Sequence, residues 1–190
     1  MTRTRLEAFS DGVIAIVITI MVLELRVPHG ADLAALRPLV PVFLAYVLSF
    51  IYLGIYWNNH HHMLHVTDKI NGKILWANLH LLFWLSLIPF ATGWMGENPV
   101  APLPAALYGA VLLMAAIAYT ILQTAIIALH GEGSTLQQAV GRDFKGKVSL
   151  VCYAVAIALA FASAWISIVL YVIVALLWLV PDRRIESRLK

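Results

Sequence analysis

The run Asn58–His62, followed by His65, is the part of the sequence richest in side chains that bind metals. His61 and His65 are four residues apart, so they can share one face of a helix and hold a transition metal. No acidic pair flanks them to complete a hydrolytic site. The run also falls at the predicted end of a helix, where imidazoles lie at a membrane interface. We therefore expect interfacial histidines, with a bound metal ion or a polar contact from one histidine to Asp11 as the alternatives.

Ser10, Asp11 and His80 are three further polar side chains within or beside apolar stretches. Side-chain oxygens near the start of a helix accept hydrogen bonds from its free amide groups, so capping is the simplest role for Ser10 and Asp11. For His80 we expect a buried neutral imidazole bonded to a neighbour, and a proton relay is the alternative. Neither paired carboxylates nor a nucleophile–base pair supports a membrane-embedded enzyme. The single cysteine, Cys152, excludes an internal disulfide and a cysteine-based zinc site.

Charge is scarce and unevenly distributed along the 190 residues. Of these residues 62% are apolar and 12% are charged, against about 25% charged in soluble domains. Four stretches of 30, 23, 34 and 34 residues contain no Asp, Glu, Lys or Arg: Pro38–Thr67, Ile74–Gly96, Asn98–Gly131 and Val148–Pro181. A membrane-spanning helix needs about 20 apolar residues. The composition excludes a soluble enzyme, a disordered tail and a secreted disulfide scaffold, and it predicts an all-α integral membrane protein with a single transmembrane domain over residues 1–190.

Six transmembrane helices fit these stretches. They are predicted over about residues 6–27, 38–60, 71–94, 105–129, 148–164 and 166–180. Pro38 and Pro41 suit the first turn of the second helix, and Pro89 can kink the third. The last stretch is divided at Ser163–Ser167, because it is too long for one span and just long enough for two. A single long tilted helix is the alternative there.

The distribution of positive charge favours six spans. With six, one side of the membrane carries 11 Lys or Arg residues, and the other side carries only Arg26 and Arg37. The 11 residues are Arg3, Arg5, Lys69, Lys73, Arg142, Lys145, Lys147, Arg183, Arg184, Arg188 and Lys190. Because basic residues are enriched in cytoplasmic loops, we expect the N- and C-termini to be cytoplasmic. Topology thus explains the net charge of +3, and nucleic acid is not an expected partner.

The first helix carries an apolar stripe and a separate polar spot. At about 100° per residue and with Ile16 as the zero, Thr19 falls at ~300°, Ile20 at ~40°, Leu23 at ~340° and Val27 at ~20°. Asp11 falls at ~220°, so it points away from the stripe. Spacing alone leaves core packing as the simplest explanation of the stripe, and a polar anchor as that of Asp11.

The stretch Arg5–Gly12 has an arginine, then three residues, then Phe9, Ser10 and Asp11. This pattern closely resembles the signature that opens the first helix of the transmembrane protein 175 family. That family consists of potassium-permeable channels of bacteria, archaea and animal endolysosomes, and its prokaryotic members are six-helix units that assemble as tetramers. Six spans, cytoplasmic termini, a tight final hairpin and a basic C-terminal tail also match, so the resemblance covers essentially the whole chain.

The resemblance implies a role for the stripe. In that family the first helix lines a central four-fold pore without a re-entrant selectivity loop, and this sequence has no segment like Thr-Val-Gly-Tyr-Gly. The family's constriction is a ring of bulky aliphatic side chains, which Ile16 matches, and further aliphatic rings match Ile20 and Leu23. A threonine that is linked to selectivity in the family is matched by Thr19.

The resemblance also assigns the signature to holding the first helix in place. Ser10 and Asp11 are turned off the stripe, so they need partners on neighbouring helices. Arg5, Asn58 and His80 are the expected partners, and Phe9 completes the predicted structural network.

Together these features predict a potassium-permeable, moderately selective cation channel. It would be a homotetramer in the lipid bilayer of the cell inner (plasma) membrane, with a hydrophobic gate made of aliphatic rings. Its ligands would be permeant monovalent cations such as K⁺, and no cofactor, bound metal or catalytic site is expected. The alternative is a small proton- or cation-coupled secondary transporter. Against it, the sequence has no inverted repeat, and only His80 is placed to carry a coupling proton.

Overall fold

Helices form the regular structure of this protein. The structure is a computed structural model and describes residues 2–131, 136–137 and 143–179. The helices are α1 (Arg3–Leu23), α2 (Val40–His65), α3 (Gly72–Ser86), α4 (Ile88–Glu97), α5 (Pro102–His130), α6 (Phe144–Ala160) and α7 (Ala164–Leu179), with a 3₁₀ helix (Leu33–Leu39) before α2. No strand occurs in these residues, so the all-α class predicted from composition is confirmed for them. Five of the basic residues used to predict topology lie outside the described residues: Arg142, Arg183, Arg184, Arg188 and Lys190.

Among the described residues, four helical segments are long and apolar enough to cross a membrane. They are Arg3–Leu23, Leu33–His65, Gly72–Glu97 and Pro102–His130. Ala164–Leu179 is apolar but shorter. The prediction of an integral membrane protein is therefore supported by the lengths and compositions of the helices.

The helix α1 begins and ends earlier than the sequence predicts. It starts at Arg3 and stops at Leu23, with Glu24 as its C-cap. Pro28 keeps the helix from continuing past Val27, because a proline disfavours helical backbone at the residue before it, and the chain leaves the helix one turn earlier, at Leu23. Val27, the predicted last member of the stripe, consequently lies outside the helix and is exposed.

The helix α2 is longer than predicted at its C-terminal end. Pro41 lies in its first turn, where the missing N–H would have had no partner in the helix, whereas Pro38 lies in the preceding 3₁₀ helix. Since α2 continues to His65, the histidines His60–His62 stand on its last turns rather than partly in a loop. Their register on the helix therefore decides which of them face the protein.

The predicted third span is divided at Leu87 into α3 and α4. Pro89 accounts for the break, because it has no N–H to donate to the carbonyl of Leu85 and its ring would clash with that group. The final apolar stretch is also divided, by a turn at 161–163, so it does not form one long helix. This turn falls slightly before the predicted one, and Ser167 instead lies on α7, where its Oγ donates to the carbonyl of Ala156 at 2.6 Å.

Paired hydroxyl groups in the core fix the positions of α2, α4, α5 and α7. The Oγ of Ser49 lies 2.7 Å from Oγ1 of Thr92 and 2.9 Å from the hydroxyl of Tyr108. The Tyr52 hydroxyl donates to the carbonyl of Tyr171 at 2.6 Å. Buried hydroxyls that have partners hold helices in one register, because an unpaired polar group in the core is costly. Of these helices, α2 and α4 provide, together with α3, the surface against which α1 packs.

Candidate functional site

The two sides of α1 have very different environments. One side is buried against the rest of the protein, and its members recur at helical spacing: Leu6, Ser10, Ile14, Val17 and Met21. The other side is not covered by any of the residues that the structure describes. We call its four residues Ile16, Thr19, Ile20 and Leu23 the α1 stripe.

All four residues of the α1 stripe are exposed. Ile16 is 59% exposed, Ile20 43% and Leu23 76%, and Thr19 is exposed as well. The Thr19 hydroxyl donates to the carbonyl of Ala15 at 2.8 Å, so its proton is turned into the helix and the oxygen keeps lone pairs free to accept. The stripe therefore presents bulky aliphatic groups and one potential acceptor oxygen to whatever it faces.

A buried triad fixes the N-terminal half of α1. Nδ2 of Asn78, on α3, donates to Oγ of Ser10 at 2.9 Å, and Oδ1 of Asn78 lies 2.7 Å from Nε2 of His60 on α2. The Ser10 hydroxyl donates to the carbonyl of Leu6 at 2.9 Å. Ser10, Asn78 and His60 are all buried, and Nδ1 of His60 has no hydrogen-bond partner in the described residues. We call Ser10, Asn78 and His60 the anchor triad. It joins α1, α3 and α2 through the side chain of Asn78.

A second set of polar contacts joins α1 to the end of α2 as a ladder with three rungs. Nη1 of Arg3 donates to the carbonyl of His65 at 2.9 Å, Oε1 of Glu7 lies 3.1 Å from Nδ1 of His61, and Nε1 of Trp57 donates to Oδ1 of Asp11 at 3.1 Å. The rungs are four residues apart on each helix and run in opposite directions, as antiparallel helices require. The ring of His61 also lies between those of Trp57 and His65, with centroids 6.1 and 6.2 Å away.

The residues expected to form the structural network divide into two groups. Ser10 and Asp11 are held by neighbouring helices, and Asp11 is half-buried against α2. The expected partners are not the ones found. Nε2 of His80 accepts from Nε1 of Trp84 at 2.9 Å within α3, Asn58 is exposed on α2, and Arg5 and Phe9 are exposed on α1.

Register explains why the expected partners differ from the observed ones. His80 and Asn78 are two residues apart, so they lie on different sides of α3, and it is Asn78 that faces α1. In the same way Asn58 follows Trp57, and only Trp57 reaches Asp11. A polar amide inside a charge-free stretch was a signal for Asn78 in the sequence, whereas nothing in the spacing singled out Glu7 or Trp57.

The histidine run does not behave as one unit. His60 is buried in the anchor triad, His61 and His62 are half-buried, and His65 is exposed. The expectation of interfacial histidines is thus incorrect for His60, since the register of α2 turns it inward. Within the described ranges no three His, Cys, Asp or Glu side chains are arranged to hold a metal ion.

The C-terminal end of α1 has one further contact. Nη2 of Arg26 lies 3.0 Å from Oε1 of Glu97 at the end of α4, and both side chains are largely exposed. An exposed pair of this kind contributes little stability. The polar contacts that hold the helix are therefore concentrated near its N-terminus, while Ile14, Val17 and Met21 hold the rest by apolar packing.

Known proteins with similar sequences and structures were identified by comparison. The family model described as "Endosomal/lysosomal potassium channel TMEM175" matches residues 5–89. The crystal structure of a lysosomal potassium-selective channel TMEM175 homolog from Chamaesiphon minutus superposes with a TM-score of 0.82 at 29% identity, over 93% of this chain and 95% of that one.

Two relatives illustrate the similarity in sequence. A potassium channel of Chryseobacterium sp. (strain P1-3) is 58% identical over 190 residues, which is 100% of this chain and 99% of that protein. The endosomal/lysosomal proton channel TMEM175 of Homo sapiens is 32% identical over 183 residues, covering 86% of this chain but 36% of the human protein. These relatives are ion channels and not enzymes. The similarity over the full length of the bacterial relative shows that this chain belongs to the TMEM175 family.

Proposed function

We propose that this protein is a potassium-permeable cation channel in which four copies of α1 line a central pore. The observation that carries the proposal is the uncovered α1 stripe: Ile16, Thr19, Ile20 and Leu23 lie on the exposed side of a helix whose opposite side is buried. The family resemblance selects the same four residues as pore-lining. One copy of a helix cannot enclose a pore, so the stripe acquires this role only in an oligomer.

The proposed topology has six spans, made by α1, α2, α3 with α4, α5, α6 and α7. Both termini are cytoplasmic in this arrangement, which agrees with the bias of basic residues, and the bacterial plasma membrane is the expected location. The names of the Chryseobacterium and Chamaesiphon relatives as potassium channels support K⁺ as the permeant ion.

The chemistry of the stripe explains how such a pore would gate. Four isoleucine side chains around one axis make a dry constriction, which ions cross only if it widens and hydrates. Ile16 is the proposed narrowest point, and Leu23 makes a second ring roughly 10 Å away along the helix, at about 1.5 Å per residue. Ile20 extends the apolar segment between them.

Selectivity would be moderate in this arrangement. Without rings of backbone carbonyl oxygens, the pore replaces little of the hydration shell of an ion. The four Thr19 hydroxyls would be the side-chain oxygens within the stripe, and their lone pairs are free because each proton is donated to Ala15. Partial replacement of hydration water by four oxygens favours K⁺ over Na⁺ without excluding Na⁺.

The test is to record currents from purified Ile16→Ala and Ile16→Asn in planar bilayers. Both changes should let water into the constriction at Ile16 and raise basal conductance by about tenfold or more. A tenfold rise corresponds to an energy barrier for ions that is lower by ~1.4 kcal/mol. Val22→Ala is the matched control, since Val22 is exposed on α1 but lies outside the stripe. It should conduct like the parent protein.

Two results would contradict the proposal. If both Ile16 variants form tetramers and conduct like the parent, Ile16 is not the gate. If K⁺ moves in liposomes only together with a second ion, the protein is a transporter. Subunit number in detergent is the simplest first measurement, because a monomer cannot form this pore.

A further inference from the structure

The C-terminal end of α1 carries an acid in a place where helix electrostatics disfavour one. Glu24 is the C-cap of α1, directly after Leu23, and it is exposed. The last carbonyl groups of a helix bear partial negative charge, so they repel a carboxylate and attract a cation. Glu24 forms no ion pair within the described part of the chain, so nothing there offsets this repulsion. A carboxylate at the C-terminal end of a helix, where it is electrostatically unfavourable, indicates a function rather than a contribution to folding.

The basic residue nearest to Glu24 in sequence, Arg26, pairs with a different acid. Arg26 is paired with Glu97 on α4 at 3.0 Å. Asp32 caps the 3₁₀ helix, and Arg37 is exposed within it. The segment between α1 and α2 and the end of α4 thus hold three acids, Glu24, Asp32 and Glu97, and the two arginines. With histidine taken as neutral, their net charge is −1 per chain. Of the three acids, Glu24 is the one next to the α1 stripe.

Glu24 also lies on nearly the same side of α1 as the stripe. It lies about 80° around the helix from Ile16, and so only ~40° beyond Ile20 of the stripe. Leu25, directly after the cap, is half-buried while Glu24 is exposed, so the chain turns its apolar side inward there and leaves Glu24 outside. Four copies of Glu24 around one axis would surround the opening just beyond the Leu23 ring, together with four negative helix ends.

We propose that Glu24 forms a ring of negative charge at the outer opening of the pore, and that this ring concentrates monovalent cations and sets how fast they enter. This inference rests on the proposed tetrameric pore. A charged opening raises the local concentration of the ion that it attracts. Salt screens the effect, since the Debye length falls from about 30 Å at 0.01 M to about 3 Å at 1 M.

The experiment uses the full-length protein in vesicles of known orientation, with K⁺ as the probe. Current carried from the outer side is recorded at about 10 mM and about 1 M KCl. Glu24→Gln should lower this current about twofold or more at the low concentration and leave it unchanged at the high one. Glu24→Lys should lower it further. Glu97→Gln releases Arg26 and should act in the same direction.

The outcomes separate this inference from the pore on which it depends. Ile16→Asn is recorded in the same vesicles. If Ile16→Asn raises the current while Glu24→Lys has no effect at low salt, the pore stands and the charge ring is refuted. If neither has an effect, both proposals fail. A loss of equal size at both salt concentrations would mean that Glu24 acts on the fold, and it would also refute the ring.

Discussion

The two sides of α1 show that similar apolar residues serve different purposes on one helix. Ile14, Val17 and Met21 on the buried side are as hydrophobic as Ile16 and Leu23 on the stripe. What distinguishes the sides is the polar residue that each contains. Ser10 has a partner on another helix, whereas the hydroxyl of Thr19 bonds only within its own helix.

This difference suggests that the two sides of α1 have separate roles. The buried side and its anchor triad hold α1 in a fixed position, and the α1 stripe is left free to contact other copies, water or ions. Changes on the buried side should therefore alter assembly and stability while the ion preference of assembled channels stays the same. Changes on the stripe should alter the ion preference or conductance while assembly and stability stay the same.

Asn78→Ala should have the largest effect on the buried side. It removes both contacts of the asparagine and leaves Nε2 of His60 without a partner, while Nδ1 has none already. A buried polar group left unpaired costs about 1–3 kcal/mol, which for a chain of this size lowers the melting temperature by roughly 2–4 °C per kcal/mol. Thermal stability of the detergent-purified protein measures it. Asn98→Ala is the control, because Asn98 is exposed and its side-chain amide donates to the carbonyl of Trp94 in α4, the helix that it caps. Equal melting temperatures for the two variants would show that the triad is not an anchor.

Asp11→Ala should have a smaller effect in the same direction. It breaks the rung to Trp57, which is half-exposed, so we expect a loss of about 1 kcal/mol. Trp57→Phe removes the same hydrogen bond but keeps most of the ring packing. The two variants should reduce the yield of tetramers and leave the K⁺ to Na⁺ permeability ratio unchanged. Stable tetramers of Asp11→Ala with altered selectivity would assign Asp11 to the ion pathway instead.

Thr19→Val tests the other side of the helix. Valine keeps the width of threonine but offers no oxygen, so the permeability ratio of K⁺ to Na⁺, measured from reversal potentials, should fall severalfold while thermal stability stays the same. Thr124→Val is the matched control, since exposed Thr124 on α5 also bonds to a carbonyl of its own helix, at 2.7 Å. If the two variants have the same permeability ratio as the parent, Thr19 does not contribute to selectivity.

The sequence was sufficient to predict the class of the protein and which residues of α1 share one side. Spacing alone favoured core packing for that side, and it was the family resemblance that implied an uncovered one. Long charge-free stretches fix the helices within a few residues, because each must be apolar along a whole span. Pro89 and Pro28 give local breaks for steric reasons. The stripe follows from spacing along one helix, which is a local property.

The partners of Ser10 and Asp11 could not be predicted in the same way. They depend on the rotation of α2 and α3 relative to α1, and a shift of two residues replaces Asn78 with His80. Those rotations are set by contacts between distant parts of the chain, such as Ser49 with Thr92 and Tyr108. No spacing within a single helix contains that information.

His61→Gln should have the smallest effect, although His61 stands in the middle of the ladder. Its pair with Glu7 is partly exposed at both ends, and such pairs contribute about 0–1 kcal/mol. Glutamine can still donate to Glu7, so K⁺ currents and the yield of tetramers should match those of the parent. His60→Gln provides the contrast on the same helix, because His60 is buried in the anchor triad and its replacement should destabilise the protein. A metal chelator should not change the currents of either the parent or His61→Gln. If a chelator abolished conduction and zinc restored it, the histidine run would be a metal site and the ladder would have to be reinterpreted as its support.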